Sequence, residues 1–361
     1  MEKLNFVVTW GEDKTRAWSG TYYSIHQALE KYYDIADFDT IEPNCFANVY
    51  AKILLKLGLR KDDFNVRYIL KNRKHYENRL SGKIFQFTEF IQDRPSRQTY
   101  IYQDLSVPYL YYLARTNSRE LIYSGFDSVD SKAMKRRCNL QMDYYRSAAG
   151  ILYMGRWMTE FMRREYPQLN DKIHHVGAGI NLDYKKIRPS TEKRNNRILF
   201  VGRDFKRKGG EKVIEAFKLL KGKVPDLELH VAGPSVDPMQ TPTDGYHFYG
   251  DISYDKVQEL MNMCDLFCMP SYFEAYGLVF IEALVFGLPC IGRNCCEMPY
   301  FIEEGITGEL VDTDDASELA GKISKILQNE DYRRNVVQRR DSYIKEYSWD
   351  AVASRMANII G

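Results

Sequence analysis

Residues 197–311 alternate between short apolar runs and longer amphipathic stretches, and this rhythm constrains the fold more than any other feature. "RILFVG" (197–202), "LELHVAG" (227–233), "YHFYG" (246–250), "DLFCMPS" (265–271), "PCIG" (289–292) and "GELV" (308–311) read as strands. Helical patterns fall between them at 211–220, at about 254–263, from near Tyr276 or Gly277 to a stop at Gly287, and near 297–304. Strands that are apolar on both faces need parallel neighbours and crossover helices. The pattern predicts an α/β fold with a doubly wound parallel sheet.

The first half repeats the theme less clearly. An apolar strand from Leu4 to Thr9 leads into a polar loop holding Trp10, Gly11, Trp18, Ser19 and Gly20. A helix then starts near Thr21 with Ile25, Ala28 and Leu29 on one face. Further strands are expected at 83–87, 99–103, 149–153 and 173–176, and helices at 44–57, 105–114, 128–146 and 155–165. Residues 60–80 are densely charged and fit no pattern well. The polar, Gly- and Pro-containing stretch 177–196 reads as a linker. With 361 residues, two domains are expected: 1–180 and 181–345, with 346–361 a terminal amphipathic helix.

Net charge is only +2, which argues against nucleic acid as a partner. The surplus of Lys and Arg is confined to the first 180 residues, where it suits peripheral contact with an anionic membrane or an acidic acceptor, or is a solvated surface. Seven cysteines without a C-x-x-C pair read as reduced thiols, and no metal is expected. The apolar run in "MEKLNFVVTWGED" is too short for a signal peptide, and no window spans a bilayer. The expected location is cytoplasmic, at most peripheral at the inner face of the membrane.

In an open parallel sheet, ligands bind beyond the carboxyl ends of the strands. Glu274 sits in such a loop. Glu282 lies one to two turns inside the following helix, and that helix's first N–H groups lie between them. A buried carboxylate needs partners. Two carboxylates accept from vicinal hydroxyls, and a helix N-terminus favours phosphate. The expectation is an elongated ligand with a sugar, a diphosphate and a ribose. The alternative is a solvated helix face.

Three further stretches qualify. "VGRDFKRKGG" places Arg203 and Lys208, with Gly202, Gly209 and Gly210, after the first strand of the second half. Two cations there neutralise a diphosphate, or the loop is a basic surface turn. Ser19, Gly20 and Thr21 cap a helix and hold a phosphate, or form an ordinary turn. Asp104 caps the next helix, or faces a cleft and contacts sugar or acceptor.

Together these stretches resemble the retaining glycosyltransferases of family four, which have the two-domain GT-B fold. "FEAYGLVFIEALVFGLPCIG" is similar to that family's paired-glutamate signature, "VGRDFKRKGG" to its diphosphate loop, "HHVGAGINLDY" to its interdomain segment, and "WSGTYYSIHQAL" to the glycine loop of one bacterial branch. The resemblance implies two Rossmann-like domains facing a deep cleft, the first binding acceptor and the second donor, with the last helix packing back on the first. It implies that Glu274 contacts the donor hexose, that Glu282 binds the ribose, and that the backbone at Ala275, Tyr276, Gly277 and Leu278 holds sugar and phosphates. Arg203 and Lys208 would clamp the diphosphate. Gly20 would approach the distal phosphate, and Asp251 and Ile252 would lie near the base. Many relatives carry a cleft histidine where this chain reads Gln103-Asp104, and Tyr276 stands where phenylalanine is common.

The expected activity is retaining, metal-independent transfer of a hexose from a nucleotide-diphosphate sugar, UDP-linked first and GDP-linked next, with no cofactor. The acceptor would be a hydroxyl of a glycan, a lipid-linked molecule or a protein, in the manner of bacterial surface-polysaccharide synthesis. The alternatives are an inactive GT-B partner subunit and a nucleotide-sugar epimerase.

Overall fold

The computed structural model describes residues 1–11, 13–15, 17–40, 64–188, 196–239 and 241–361. The helix expected over 44–57 lies outside them. The chain divides into two compact units, Met1–Gly179 with Trp349–Gly361, and Ile180–Ser348.

The first unit is built on six parallel strands: β1 (Glu2–Val8), β2 (Tyr33–Asp39), β3 (Gly82–Gln86), β4 (Arg97–Gln103), β5 (Gly150–Tyr153) and β6 (Ile173–His175), in the order β2-β1-β3-β4-β5-β6. Its core residues Leu4, Phe6, Ile84, Phe85, Ile101, Tyr102, Ile151 and Leu152 are fully buried. Helices Val107–Arg115, Ser131–Ser147 and Arg156–Glu165 fall where expected within a few residues. Two elements had no clear sequence signal. β2 is an edge strand, "YDIADFD", with only Tyr33 buried. Helix Val66–Tyr76 buries Ile69, Tyr76 and the polar Asn72, so its apolar seam is broken.

The last helix, Trp349–Ile360, belongs to this first unit. It buries Val352, Ala353, Met356 and Ile360. Asp350 pairs with Lys31 at 2.6 Å, and Arg355 Nε donates to the Val176 carbonyl at 2.7 Å. The indole of Trp349 lies where a Cβ on Gly179 would stand.

The second unit holds six more parallel strands: β7 (Arg197–Val201), β8 (Glu228–Ala232), β9 (Tyr246–Gly250), β10 (Leu266–Cys268), β11 (Cys290–Arg293) and β12 (Gly308–Val311), in the order β12-β11-β10-β7-β8-β9. The chain runs outward from β7 through β8 to β9. It then returns to the other side of β7 with β10 and runs outward again. Helix Leu278–Phe286 starts one to two residues later than expected and ends at Gly287, which takes the left-handed conformation (φ 91°). Among the described residues, no helix is long and apolar enough to cross a membrane.

Candidate active site

The reversal of strand order between β7 and β10 opens a crevice at the carboxyl edge of the second sheet, because the loops after these two neighbours leave in opposite directions. These are the loops that carry Lys208 and Glu274. They are stitched together by backbone and by Arg207. Tyr272 N–H donates to the Arg207 carbonyl at 2.9 Å, and Arg207 Nη1 donates to the Phe273 carbonyl at 2.6 Å. Gly209 (φ 74°) presses against the other loop, where an added Cβ would stand 2.5 Å from the Pro270 carbonyl oxygen. Only glycine meets both the dihedral and the space.

Within this seam, Lys208 Nζ lies 3.0 Å from Glu274 Oε2, and both side chains are largely shielded from solvent. Ser271 Oγ donates to the same oxygen at 3.4 Å, and Arg207 Nη1 stands 3.6 Å from it. The Lys208 stem runs over Gly202, in the volume a Cβ there would need. Glu274 is therefore held by two cations and a hydroxyl. Arg207 and Ser271 were not singled out from the sequence. Arg207 is one of four cations in "RDFKRK", and spacing alone does not choose among them.

Ala275, Tyr276 and Gly277 carry the chain from Glu274 into the helix. The Tyr276 ring is buried edge-on to Phe301, 5.1 Å between centroids. Gly277 is left-handed (φ 89°), and a Cβ there would crowd Met298 and Glu274. The helix opens at Leu278 without an acidic residue in its first turn, and its N-cap Gly277 makes no side-chain cap bond.

Arg203 and Asp251, both expected at the donor site, meet at the edge of this crevice. Arg203 Nη2 stands 3.3 Å from Asp251 Oδ1, and both are largely exposed. Ile252 follows and is half-buried. Gly202 N–H donates to the Ala232 carbonyl, which holds the start of the Arg203 loop against the end of β8.

Glu282 answers differently from the expectation of a ligand-satisfied carboxylate. It is buried, and its Oε1 accepts from Asn181 N–H at 3.1 Å. Burial pushes its carboxyl up to about 7, and backbone hydrogen bonds from Asn181 and Leu182 offset part of that rise. The chain itself thus partners both glutamates: Lys208, Arg207 and Ser271 for Glu274, and the 181–182 backbone for Glu282. The premise that a ligand must supply the partners is overturned. A backbone donor a hundred residues upstream leaves no side-chain pattern to read.

In the first unit, the strand order reverses between β1 and β3, and the loop after β1 ends in a run of three left-handed residues: Trp18 (φ 46°), Ser19 (φ 57°) and Gly20 (φ 84°). Gly20, which has no side chain to cap with, is the N-cap of helix Thr21–Leu29. Asp104 does not occupy the N-cap position of the next helix. That N-cap is Ser106, and Val107 N–H donates instead to Gln141 Oε1 at 2.7 Å. The Asp104 charge, second to burial, holds the Tyr22 phenol well above its ordinary pKa. Asp104 and the Gly20 turn therefore share one neighbourhood through Tyr22.

Two successive units, each a doubly wound parallel sheet, define the class of fold: it is the two-domain GT-B fold seen in solved glycosyltransferases. Residues 183–342, within the second unit, match the family model for glycosyl transferases group 1. Sucrose-phosphate synthase from Thermosynechococcus elongatus superposes with a TM-score of 0.71 at 16% identity, over 99% of this chain and 98% of that one. WaaG, a glycosyltransferase involved in lipopolysaccharide biosynthesis, gives 0.66 at 16% identity, over 99% of each chain. The D-inositol 3-phosphate glycosyltransferase of Corynebacterium kroppenstedtii is 27% identical over 177 residues, which is 45% of this chain and 39% of that protein. The chain thus spans about two fifths of the length of that curated relative.

Proposed function

We propose that the chain is a retaining, metal-independent hexosyltransferase that uses a nucleoside-diphosphate sugar, UDP-linked first and GDP-linked next. The acceptor is a hydroxyl of a glycan, lipid-linked or protein molecule of the bacterial surface-polysaccharide kind. The observation that carries this reading is the Lys208–Glu274 pair at the switch point, close in sequence to a helix N-terminus with no acidic residue in its first turn. Lys208 has three donors, of which one goes to Glu274 and one, weakly, to Met269 Sδ, so one remains for a phosphate oxygen. Glu274 has a second oxygen for a sugar hydroxyl. One pair therefore suits both ends of the bond that breaks.

In transfer, the bond from the anomeric carbon to the diphosphate oxygen breaks, and that oxygen keeps the electron pair. Lys208, Arg203 and the N–H groups opening at Leu278 oppose the growing charge, a preorganised arrangement that needs no reorganisation at the moment of reaction. The anomeric carbon gains oxocarbenium character. The acceptor oxygen attacks on the face the diphosphate leaves, and its proton passes to the departing phosphate. Asp104 and the Gly20 turn are the first unit's candidates for contacts with sugar and phosphate. Glu282 is read as the ribose contact through the oxygen not engaged by Asn181.

A thermal-shift screen against UDP, GDP, ADP, dTDP and CMP, each with and without EDTA, tests this. A ligand that binds only the native state raises the midpoint by mass action. A nucleoside-diphosphate shift that survives EDTA is expected. No shift with any nucleotide would overturn the reading in favour of an inactive partner subunit, and conversion of donor without acceptor would point to an epimerase.

A further inference from the structure

We propose that Glu228, His230 and His247 form a site for a divalent transition ion, zinc first among them, separate from the donor loops. Glu228 and His230 are two residues apart on β8, so their side chains share one face of the sheet. β9 pairs with β8 in the register that sets His247 beside His230. The ligand atoms of all three lie within 4.8 Å of one another.

The spacing suits tetrahedral coordination. His230 Nε2 is 3.1 Å and His247 Nε2 3.8 Å from Glu228 Oε2. Two ligands each about 2.0–2.1 Å from a tetrahedral zinc stand about 3.3 Å apart. The two imidazoles lie side by side, centroids 4.6 Å apart and 13° between planes, with both Nε2 atoms near the same carboxylate. Small side-chain rotations bring the donors into range.

The outer groups are those a metal site uses. His230 Nδ1 is 2.9 Å from the Tyr249 hydroxyl, which fixes the ring and frees Nε2 for the ion when Nδ1 carries the proton. Arg197 Nε donates to Glu228 Oε2 at 2.7 Å. A carboxylate has about four lone-pair positions, so it serves Arg197 and an ion together. His230 is buried and His247 is exposed, so the site is anchored on one side and open on the other. Imidazole ligands select zinc, nickel or cobalt over magnesium or calcium, and three protein ligands leave one position for water.

The site's place in the fold assigns its use. β9 is the edge strand of the second sheet, and its pairing with β8 shifts register between Val231 and Ala232. An ion bridging His230 and His247 clamps the edge strand in its register. Glu228 opens β8 at its amino end, whereas the donor loops leave the carboxyl ends, so the ion takes no part in transfer.

The test uses the full chain, freed of metal and titrated with zinc chloride by calorimetry, with thermal melts alongside and no nucleotide present. One equivalent of zinc and a rise in Tm are expected. His247→Ala, a change at an exposed side chain, should weaken binding at least tenfold and abolish the rise. Cobalt in place of zinc should give visible ligand-field bands without a thiolate charge-transfer band. No zinc uptake, unchanged affinity in His247→Ala, or a thiolate band would each overturn the proposal. Nucleotide binding should be the same with and without zinc, so failure here is distinct from failure of the transferase reading.

Discussion

Lys208 Nζ stands 3.0 Å from Glu274 Oε2, and the two residues reach that distance from loops after neighbouring strands, 66 positions apart in the chain. The pair exists because β7 and β10 are adjacent while their loops diverge. It closes the seam and still leaves a lysine donor and a carboxylate oxygen for a ligand.

Lys208→Ala should therefore lower turnover by about two to three orders of magnitude, the loss typical of removing a preorganised donor from leaving-group charge. Arg207 remains within 3.6 Å of Glu274, so the variant should stay folded. Steady-state transfer assays alongside a melt check this; near-wild-type turnover would remove Lys208 from the proposed clamp.

Gly209→Ala should disrupt the same seam by a different route. Its left-handed φ costs an alanine about 1–2 kcal/mol, and the clash with the Pro270 carbonyl adds to that. A fall in Tm of several degrees and weaker nucleotide binding are expected. Gly222→Ala is the control: its φ is −68° and a Cβ meets nothing within 4 Å, so Tm should hold.

Glu282 makes stability fall as pH rises. Its carboxyl sits at about 7 in the fold against 4.5 ordinarily. Between those values the folded chain holds the proton and the unfolded chain does not, so each step upward in pH favours unfolding. The full swing is on the order of 3 kcal/mol. Glu282→Gln should flatten the loss of stability between about pH 4.5 and 7 in chemical-denaturation curves. Identical pH dependence in wild type and variant would contradict the burial cost. Under the transferase reading, Glu282→Ala should also weaken donor binding.

His175 has the opposite slope. Burial, then Arg156, Arg355 and Arg163, lower it from 6.5 to about 4, while a backbone hydrogen bond at Met154 opposes them. Between those values the unfolded chain binds the proton and the folded chain does not, so stability is lost as pH falls from about 6.5 towards 4. His175→Gln should lose less stability over that range; a steeper loss in the variant would refute the assignment.

Much of the second unit was legible because its strands are apolar on both faces and bounded by Gly, Pro and Asp. "GELV" and "YHFYG" fall within a residue of β12 and β9. β2 was illegible because an edge strand needs only one buried anchor, and its other positions are polar or half-exposed. Lys208 and Glu274 could be singled out by residue type and by their place after strands. Their pairing could not, since it depends on strand order rather than on either strand. Glu228, His230 and His247 went unnoticed for the same reason: all three were inside recognised strands, but nothing in a linear pattern says that those strands are neighbours. Glu282's partner is main chain, which every residue has and no residue advertises.

The terminal helix Trp349–Ile360 completes a unit whose other residues end at Gly179. On the ribosome, that unit must wait for the intervening segment, on the order of ten to thirty seconds at about 5–20 residues per second. Throughout that interval the first sheet is made but lacks the helix that buries Val352, Met356 and Ile360. The second unit has no such delay, since all of Ile180–Ser348 emerges in one piece. Nascent chains stalled before residue 349 should therefore protect the second unit from protease and leave the first one vulnerable, reversing the order of synthesis.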